Sequence, residues 1–455
     1  MTIELEHPGA GGDAISAPVI PAIRVHEVLS ASILADGFDL VLDLRTSRGC
    51  RLVDARDGTV YLDMFGFFAS NALGMNHPAL ADDGRFRAEL TAAALNKPSN
   101  SDVYTVEMAR FVQSFARVLG DPRLPHLFFI DGGGLAVENA LKTAFDWKSR
   151  HNEIHGRATP SGSNRDFAVL HLTGAFHGRT GYTLSLTNTD PVKTERFPVF
   201  DWPRIETPHI GAEPDLATAE RRALDQAARA FAARPHEIAC FVAEPIQGEG
   251  GDRHMRPEFL QAVQRLCHDN DALFVLDEVQ TGVGMTGTTW AYRQLDLSPD
   301  VVAFGKKTQV CGIMAGGRVD EVGDNVFTVS SRLNSTWGGN LADMVRARRI
   351  LEVIERDGLI ERARALGIHL LERLYDLAAR YPAVTEPRGR GLMCAVTLPD
   401  PDFRDAVLTA LRERERVLFL GTGERGIRFR PPLTVRADEL DAAVFALERA
   451  LSHLC

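Results

Sequence analysis

Residues 273–282 read Leu-Phe-Val-Leu-Asp-Glu-Val-Gln-Thr-Gly, and residues 301–307 read Val-Val-Ala-Phe-Gly-Lys-Lys. In both stretches a short, entirely apolar run is followed at once by polar and charged residues. Such a run is typical of a strand buried on both faces of a parallel sheet. Ligands bind at the carboxyl ends of the strands in open parallel sheets. Asp277 and Lys306 therefore occupy positions where a functional site is expected.

Three further apolar runs extend this pattern into an α/β fold. Between two of the runs, Phe259, Leu260 and Val263 recur at helical spacing after Pro257, a residue favoured in the first turn of a helix. Strands that alternate with helices need crossover connections, which predicts a mainly parallel sheet. The three further runs are residues 127–130, 168–172 and 240–243.

The pattern changes after residue 340. Long amphipathic stretches at 341–356 and 358–380 predict two helices, and a last helix is expected from about residue 436. Short strands are expected between them. We therefore predict a second, smaller α+β domain. Its expected strands lie near residues 393–398, 417–420 and 427–430.

Composition and charge exclude several classes of protein. The 455 residues include 51 Lys and Arg against 61 Asp and Glu, a formal net charge of −10. This acidic balance argues against binding to nucleic acid or to an anionic membrane surface. No apolar run approaches the roughly 18 residues of a spanning helix. The six scattered cysteines form no Cys-x-x-Cys pair, so we expect reduced thiols in the cytoplasm and no metal site.

Two of the strand ends carry residues suited to an anionic, planar ligand. Gly132, Gly133 and Gly134 precede a helical pattern, and free N–H groups at a helix N-terminus favour a phosphate; a tight structural turn is the alternative. Phe176 offers an aromatic face and Arg179 a fork for a carboxylate. An isolated phenylalanine is more often a core residue. A histidine in the position of His177 is more often a hydrogen-bonded structural residue than a catalytic base.

The remaining two strand ends suggest chemistry on an amine. A lysine desolvated in a pocket, as Lys306 would be, is suited to Schiff-base formation. Asp277 could pair with a cationic nitrogen of a ligand, although a carboxylate there could also form a helix cap or a salt bridge. The sequence Gly-Val-Gly-Met-Thr-Gly at 282–287 matches a dinucleotide fingerprint, but it neither follows a strand directly nor opens a helix, so a nicotinamide site is disfavoured.

Together these residues resemble the class III aminotransferases of fold type I, which use pyridoxal 5′-phosphate. The strings Leu-Asp-Glu-Val-Gln-Thr-Gly and Phe-Gly-Lys-Lys are the strongest signals, and the resemblance extends from about residue 25 to the C-terminus. The stretches that carry it are residues 95–104, 174–179, 243–252, 276–282, 304–312, 334–340 and 428–433.

The resemblance implies a fold and a division of the chain. A mainly parallel seven-stranded sheet is expected in a large cofactor-binding domain at 81–340. The smaller α+β domain is expected to combine residues 25–80 with 341–455, and residues 1–24 are expected to be disordered. A cytoplasmic homodimer with composite active sites is implied as well.

The resemblance also implies roles at the cofactor. Lys306 would form the Schiff base and shuttle a proton, and Asp277 would keep the pyridine nitrogen protonated. The remaining contacts would be a hydrogen bond to the phenolic oxygen, ring stacking and phosphate binding. Gln280 would supply the hydrogen bond and Phe176 the stacking. Gly133 and Gly134 of this chain would bind the phosphate, together with Thr336 of the partner subunit. Many family members have Ser-Gly-[Ser/Thr]-Glu where this chain has Gly132-Gly133-Gly134-Leu135, so one hydroxyl donor to the phosphate is missing.

On the substrate side, the fuller strings imply transfer of the ε-amino group of L-lysine to 2-oxoglutarate. The products would be glutamate and 2-aminoadipate 6-semialdehyde, which cyclises to piperideine-6-carboxylate. Arg428 would bind the carboxylate beside the keto group, with Glu249 neutralising Arg428 while lysine is bound. Arg179 would take the distal carboxylate, with Asn334 as a lesser candidate. The family's setting is lysine catabolism or precursor supply for antibiotic biosynthesis.

Several alternatives remain open from the sequence. Ornithine, acetylornithine or 4-aminobutyrate could be the amino donor with the same core residues. A pyridoxal-phosphate aminomutase would need no 2-oxoglutarate. A scaffold without activity is disfavoured by the presence of Lys306, Asp277, Gln280 and Arg428 together.

Overall fold

The computed structural model describes residues 19–159, 166–211 and 215–454. Most of the segment expected to be disordered, residues 1–18, lies outside the described residues. From residue 19 onward, a single 3-10 turn (Ala22–Arg24) leads into the first helix.

The described chain alternates strands and helices through its middle and ends in a helix-rich region. The helices are α1 (Val25–Ser30), α2 (Gly66–Ala69), α3 (Pro78–Ala81), α4 (Gly84–Leu95), α5 (Val106–Val118), α6 (Gly133–Ile154), α7 (Thr183–Leu186), α8 (Leu216–Ala233), α9 (Pro257–Asp269), α10 (Leu341–Arg356), α11 (Leu359–Arg380), α12 (Pro401–Glu413) and α13 (Ala437–Leu454). The strands are β1 (Arg51–Val53), β2 (Val60–Asp63), β3 (His126–Ile130), β4 (Ala168–Leu172), β5 (Arg204–Ile205), β6 (Ile238–Ala243), β7 (Ile246–Gln247), β8 (Arg253–His254), β9 (Leu273–Asp277), β10 (Val301–Phe304), β11 (Cys311–Ala315), β12 (Thr385–Arg390), β13 (Met393–Thr397), β14 (Val417–Leu418), β15 (Leu420–Thr422) and β16 (Gly426–Phe429).

A seven-stranded sheet forms the centre of the molecule, with the strand order β3-β11-β10-β9-β6-β4-β5. Neighbouring strands from β10 to β5 are parallel, and β11 is antiparallel to both β10 and β3. The prediction of a mainly parallel seven-stranded sheet is confirmed. All five apolar runs are strands of this sheet, whereas β5 and β11 were not recognised from the sequence.

Alternate side chains of each central strand pack into two separate cores. In β9, Leu273 and Val275 point to the face covered by α6, while Phe274 and Leu276 belong to the core on the opposite face, which also contains Phe259 of α9. Burial on both faces explains why these strands are continuously apolar.

The C-terminal region contains a four-stranded antiparallel sheet in the order β12-β13-β16-β15, accompanied by α10 to α13. A third sheet, β1-β2-β14, joins the two ends of the chain, because Leu62 of β2 pairs in parallel with Val417 of β14. This pairing agrees with the grouping of residues 25–80 with 341–455, and the domain limits at residues 80 and 340 stay predictions. The structure also has β12 and α12, which the sequence had not indicated.

None of the helices in the described part of the chain combines the length and apolar character needed to cross a membrane.

Candidate active site

A cavity of about 580 Å³ opens at the carboxyl ends of the central strands. The predicted cofactor-binding residues of this chain, apart from Thr336, line it together. They are Gly133, Gly134, Phe176, Asp277, Gln280 and Lys306. The fold therefore brings residues more than a hundred positions apart in the sequence to one cavity, as expected for residues at the ends of neighbouring strands.

Lys306 is the second residue after β10 and has φ 55°, a left-handed backbone conformation that is uncommon outside glycine. Its amine has no hydrogen bond or ion pair with any residue that the structure describes. Burial lowers the pKa of Lys306, and the opposing attraction of Asp277 does not cancel this effect. A larger fraction of neutral amine is therefore available than in an exposed lysine, as nucleophilic attack on a carbonyl requires.

Asp277 is the last residue of β9, and each of its carboxylate oxygens is hydrogen-bonded. Oδ1 accepts a hydrogen bond from the backbone N–H of Val279 at 3.0 Å, and Oδ2 lies 2.8 Å from Nδ1 of His177. Burial disfavours the imidazolium of His177, but the Asp277 carboxylate outweighs burial and raises the His177 pKa. These two contacts orient the Asp277 carboxylate at the cavity wall.

His177 is a site residue that the sequence reasoning missed. It is completely surrounded by protein and comes directly after Phe176, which faces the cavity. The only sequence signal was its position one residue beyond a predicted ligand-facing side chain. Its interpretation as a structural, hydrogen-bonded histidine agrees with the geometry, but its partner is the central carboxylate.

Glu244 is a second residue that was not predicted. Oε1 accepts a hydrogen bond from the backbone N–H of Phe176 at 3.0 Å, and Oε2 accepts one from Gly248 at 2.9 Å. Burial raises the pKa of Glu244 to about 7. Its side chain ties the loop that carries Phe176 to the loop that carries Glu249.

The neighbouring acidic residue, Glu278, has a different role. Its carboxylate accepts hydrogen bonds from the backbone N–H groups of Ala291 (3.0 Å) and Tyr292 (2.8 Å), at the start of the 3-10 helix Ala291–Arg293. Of the two carboxylates after β9, Asp277 is thus the cavity residue and Glu278 caps a helix.

The glycine run lies at the start of α6, as predicted. Gly132 precedes the helix with φ 101°, and the first helical residues are Gly133 and Gly134. A Cβ atom on Gly133 would lie 3.0 Å from the side chain of Val279, so the close approach of α6 to the end of β9 favours glycine there. The N-terminal backbone N–H groups of α6 border the cavity.

Gln280 is held in place by a buried arginine. Arg430 donates from Nε to Oε1 of Gln280 at 2.8 Å and is also paired with the buried carboxylate of Asp252. Lys307 alternates away from the cavity and donates to the backbone oxygen of Gln280 at 3.2 Å. The orientation of Gln280 therefore depends on two buried cations that the sequence analysis did not assign.

Glu249 and Arg428 form an ion pair across the two regions of the molecule. Nη2 of Arg428, on β16, lies 3.0 Å from Oε2 of Glu249, in the loop between β7 and β8. Nζ of Lys193 lies 2.9 Å from the other carboxylate oxygen. Burial alone would raise the pKa of Glu249, but the two cations outweigh it and the pKa is lowered.

Five predicted site residues do not line the cavity within this chain: Glu249 and Arg428, which form the ion pair just described, and three others. Arg179, Asn334 and Thr336 are exposed. Next to Thr336, Trp337 is 46% exposed and stacks under the ammonium group of Lys97, 3.6 Å from the ring centroid. The roles proposed for these three residues stay predictions.

The sequence Gly-Val-Gly-Met-Thr-Gly at 282–287 forms turns between β9 and the 3-10 helix Ala291–Arg293, and no α-helix follows it. A Cβ atom on Gly282 would lie 2.5 Å from the ring of Trp290, so this glycine is required by packing. The segment lacks the strand-to-helix turn of a dinucleotide site.

Comparison with known proteins agrees with this geometry. Residues 35–451 match the family model of the class-III aminotransferases. The chain belongs to this family. It is a pyridoxal-phosphate-dependent aminotransferase.

The aminotransferase is similar to proteins named L-lysine-epsilon aminotransferase. It is 66% identical over 432 residues to the one from Mycobacterium tuberculosis, covering 94% of this chain and 95% of that protein. It is 57% identical over 455 residues to the one from Streptomyces clavuligerus, covering 98% of this chain and 97% of that protein. The solved structure of lysine aminotransferase from M. tuberculosis matches with a TM-score of 0.93 at 64% identity, covering 96% of this chain and 100% of that chain.

The residues of this aminotransferase fit the cofactor. One cavity is surrounded by an amine that has no partner among the described residues, an aspartate held by a buried histidine, an aromatic ring and a glycine-lined helix end. These groups meet the chemical needs of an aldehyde carbon, a pyridinium nitrogen, an aromatic ring and a phosphate respectively.

Proposed function

We propose that this aminotransferase transfers the ε-amino group of L-lysine to 2-oxoglutarate. The products are glutamate and 2-aminoadipate 6-semialdehyde, which cyclises to piperideine-6-carboxylate. The observation that carries the proposal is the Glu249–Arg428 ion pair beside the Lys306 cavity, with Nη2 and Oε2 3.0 Å apart. The extensive identity with L-lysine-epsilon aminotransferases supports the same donor.

The ion pair suits a donor that presents an amine without a neighbouring carboxylate. Arg428 is almost fully buried, with 4% of its side chain exposed, and unpaired it would repel a lysine cation. Glu249 neutralises it, so the ε-amino end of lysine can enter. The α-carboxylate of lysine then lies at the far end of the substrate, where we assign Arg179 and Asn334 to bind it.

The second substrate requires the opposite state of the pair. The carboxylate beside the keto group of 2-oxoglutarate binds Arg428 after Glu249 has moved aside, and a guanidinium binds a carboxylate best through two parallel hydrogen bonds. Arg179 takes the distal carboxylate. One site can therefore accept a cationic amine and a dicarboxylate in turn.

The chain's own residues supply binding and proton transfer. Pyridoxal phosphate, when bound, supplies an electron sink for the bond that is cleaved at the substrate carbon. Nζ of Lys306 carries the proton to and from that carbon. Asp277, oriented by His177, holds a positive charge at the ring nitrogen, while Gln280, held by Arg430, donates to the phenolic oxygen.

We assign the remaining phosphate contact to Thr336 of the partner subunit. Thr336 is exposed in the single chain, as a residue that reaches into a neighbouring site must be. The active form is then a homodimer with composite sites. We place it in the cytoplasm, in keeping with five described cysteines that are all free thiols.

A donor screen tests the proposed function. Lysine, ornithine, acetylornithine and 4-aminobutyrate are each supplied with 2-oxoglutarate, and glutamate is quantified; the cyclic imine from lysine is trapped with o-aminobenzaldehyde. Lysine is expected to be the best donor by kcat/KM. Preference for another donor, or conversion of lysine without 2-oxoglutarate, would reject the proposal in favour of a different ω-aminotransferase or an aminomutase.

A further inference from the structure

Lys193 is a buried cation that contacts the Glu249–Arg428 pair and has no role in the function described above. It ends the 3-10 turn Pro191–Lys193, which is capped by Asp190. Its side chain is only 13% exposed. Nζ lies 2.9 Å from Oε1 of Glu249, donates to Oγ1 of Thr189 at 3.1 Å, and is 5.5 Å from the ring centroid of Phe176.

The two oxygens of Glu249 thus bind two different cations. Oε2 faces Arg428, which lies on β16 of the C-terminal sheet. Oε1 faces Lys193, which lies in the loop region between β4 and β5. Breaking the contact with Arg428 therefore need not leave the carboxylate without a cation.

This arrangement matters because Glu249 is partly shielded from water, with 33% of its side chain exposed. A carboxylate that loses its partner in such surroundings is disfavoured. A second cation on the other oxygen lowers the free energy of the state in which Arg428 is released. It contributes less to the paired state, where Arg428 already neutralises Glu249.

We propose that Lys193 is a positioning residue that retains Glu249 when Arg428 turns to a substrate carboxylate. Lys193 thereby sets the balance between the state that accepts an amine without a carboxylate and the state that accepts a 2-oxo acid. The inference rests on the proposed function. It adds a third residue to the specificity pair and assigns its effect to the 2-oxoglutarate half-reaction.

The test compares Lys193→Met with Lys193→Arg, and uses Lys142→Met, an exposed lysine of α6, as the matched control. Half-reactions of the holoenzyme are followed separately by cofactor absorbance, and binding of the unreactive dicarboxylate glutarate is measured by calorimetry. Lys193→Met is expected to weaken the binding of 2-oxoglutarate and of glutarate about tenfold, a typical size for a coupling between groups. The lysine half-reaction should change less than about twofold, and Lys193→Arg should restore dicarboxylate binding.

A double-variant cycle separates action through Glu249 from direct contact with the substrate. In a Glu249→Ala background, adding Lys193→Met should have no further effect on glutarate binding. If Lys193→Met still lowers glutarate affinity tenfold in the Glu249→Ala background, then Lys193 binds the dicarboxylate itself and the proposal is overturned. Equal losses in both half-reactions of Lys193→Met would also overturn it. If the wild-type enzyme failed to use lysine, the proposed function would fail, whereas the glutarate measurements would still decide the role of Lys193.

Discussion

At the scale of single residues, the site combines one reactive amine with polar groups that are each held by a specific partner. Asp277 is held by His177, and Gln280 is held by Arg430. Groups fixed in this way need little reorganisation during reaction, which is the main source of electrostatic catalysis.

Replacing Asp277 by asparagine removes the charge while keeping the shape. We expect kcat to fall by more than about 100-fold, the usual cost of losing a central electrostatic contact. Asp296→Asn, at an exposed position, is the control and should keep wild-type activity. Steady-state kinetics with lysine and 2-oxoglutarate provide the measurement, and a Asp277→Asn variant within twofold of wild type would contradict the role of Asp277.

Replacing Glu249 by alanine tests the paired state. Arg428 would then remain an unpaired positive charge beside the cavity while lysine binds, so the lysine half-reaction should be impaired more than the 2-oxoglutarate half-reaction. Rapid-mixing absorbance measurements of each half-reaction provide the comparison. Equal impairment of both would contradict the switch.

The sequence predicted the residues at strand ends but not the residues that hold them. Asp277 and Lys306 could be located because a buried strand and its end are local features of the chain. His177, Arg430 and Lys193 could not, because their contacts depend on tertiary packing between segments a hundred or more residues apart, or between two loops. Thr336 came from family resemblance alone, whereas Arg179 is also a candidate from its place after β4; the geometry of the single chain brings neither to the cavity.

At the scale of elements, the central sheet contains polar groups whose protonation is fixed by burial. His171 of β4 accepts a hydrogen bond at Nε2 from Nε of Arg204 on β5, at 3.0 Å. Burial, reinforced by the Arg204 charge, lowers the pKa of His171 to about 3. The junction of these two strands therefore requires a neutral imidazole.

This junction predicts a pH dependence of stability. Because the pKa of His171 is lower in the folded than in the unfolded protein, where it is about 6.5, its contribution is complete above about pH 6.5 and is lost as the pH falls toward 3. His171→Gln cannot be protonated and should flatten the dependence by up to about 1.4 kcal/mol per pH unit. Thermal midpoints of the holoenzyme between pH 4.5 and 7.5 provide the measurement.

The exposed His453 near the end of α13 supplies the control, since His453→Gln should leave the pH dependence unchanged. An unaltered pH profile in His171→Gln would contradict the role of the β4–β5 junction.

The strands that the sequence missed lack a strong local pattern, whereas α12, which was also missed, is as amphipathic as α11. The strand β5 has only two residues, and Gly312 interrupts β11, which is antiparallel to its neighbours. The strand β12 is polar, and none of its residues is fully buried. Long, strongly periodic elements such as α10 and α11 could be predicted to within one residue at each end.

At the scale of the whole molecule, the formal charge of −10 contrasts with two anionic ligands, a phosphate and a dicarboxylate. Their attraction must be local, and in the proposed mechanism the start of α6 supplies it together with Arg428 once Glu249 releases it. The acidic surface is better matched to a cationic donor such as lysine.

The proposed composite site gives a complementation test. Lys306→Ala and Thr336→Val homodimers should both be impaired, but in a mixed dimer one site receives an intact Lys306 and an intact Thr336. Co-expression with random pairing should therefore restore activity to about a quarter of wild type, because half of the dimers are mixed and each has one intact site. If the activity after co-expression does not exceed the sum of the activities of the two variants, sharing of the site between subunits is contradicted.

Isotopic labelling tests the central claim most directly. The purified enzyme is incubated with 2-oxoglutarate and lysine carrying ¹⁵N at either the ε- or the α-amino group, and the glutamate formed is analysed by mass spectrometry. We predict ¹⁵N-glutamate from ε-labelled lysine and unlabelled glutamate from α-labelled lysine. Labelled glutamate from the α-amino group, or no glutamate from lysine, would contradict the account.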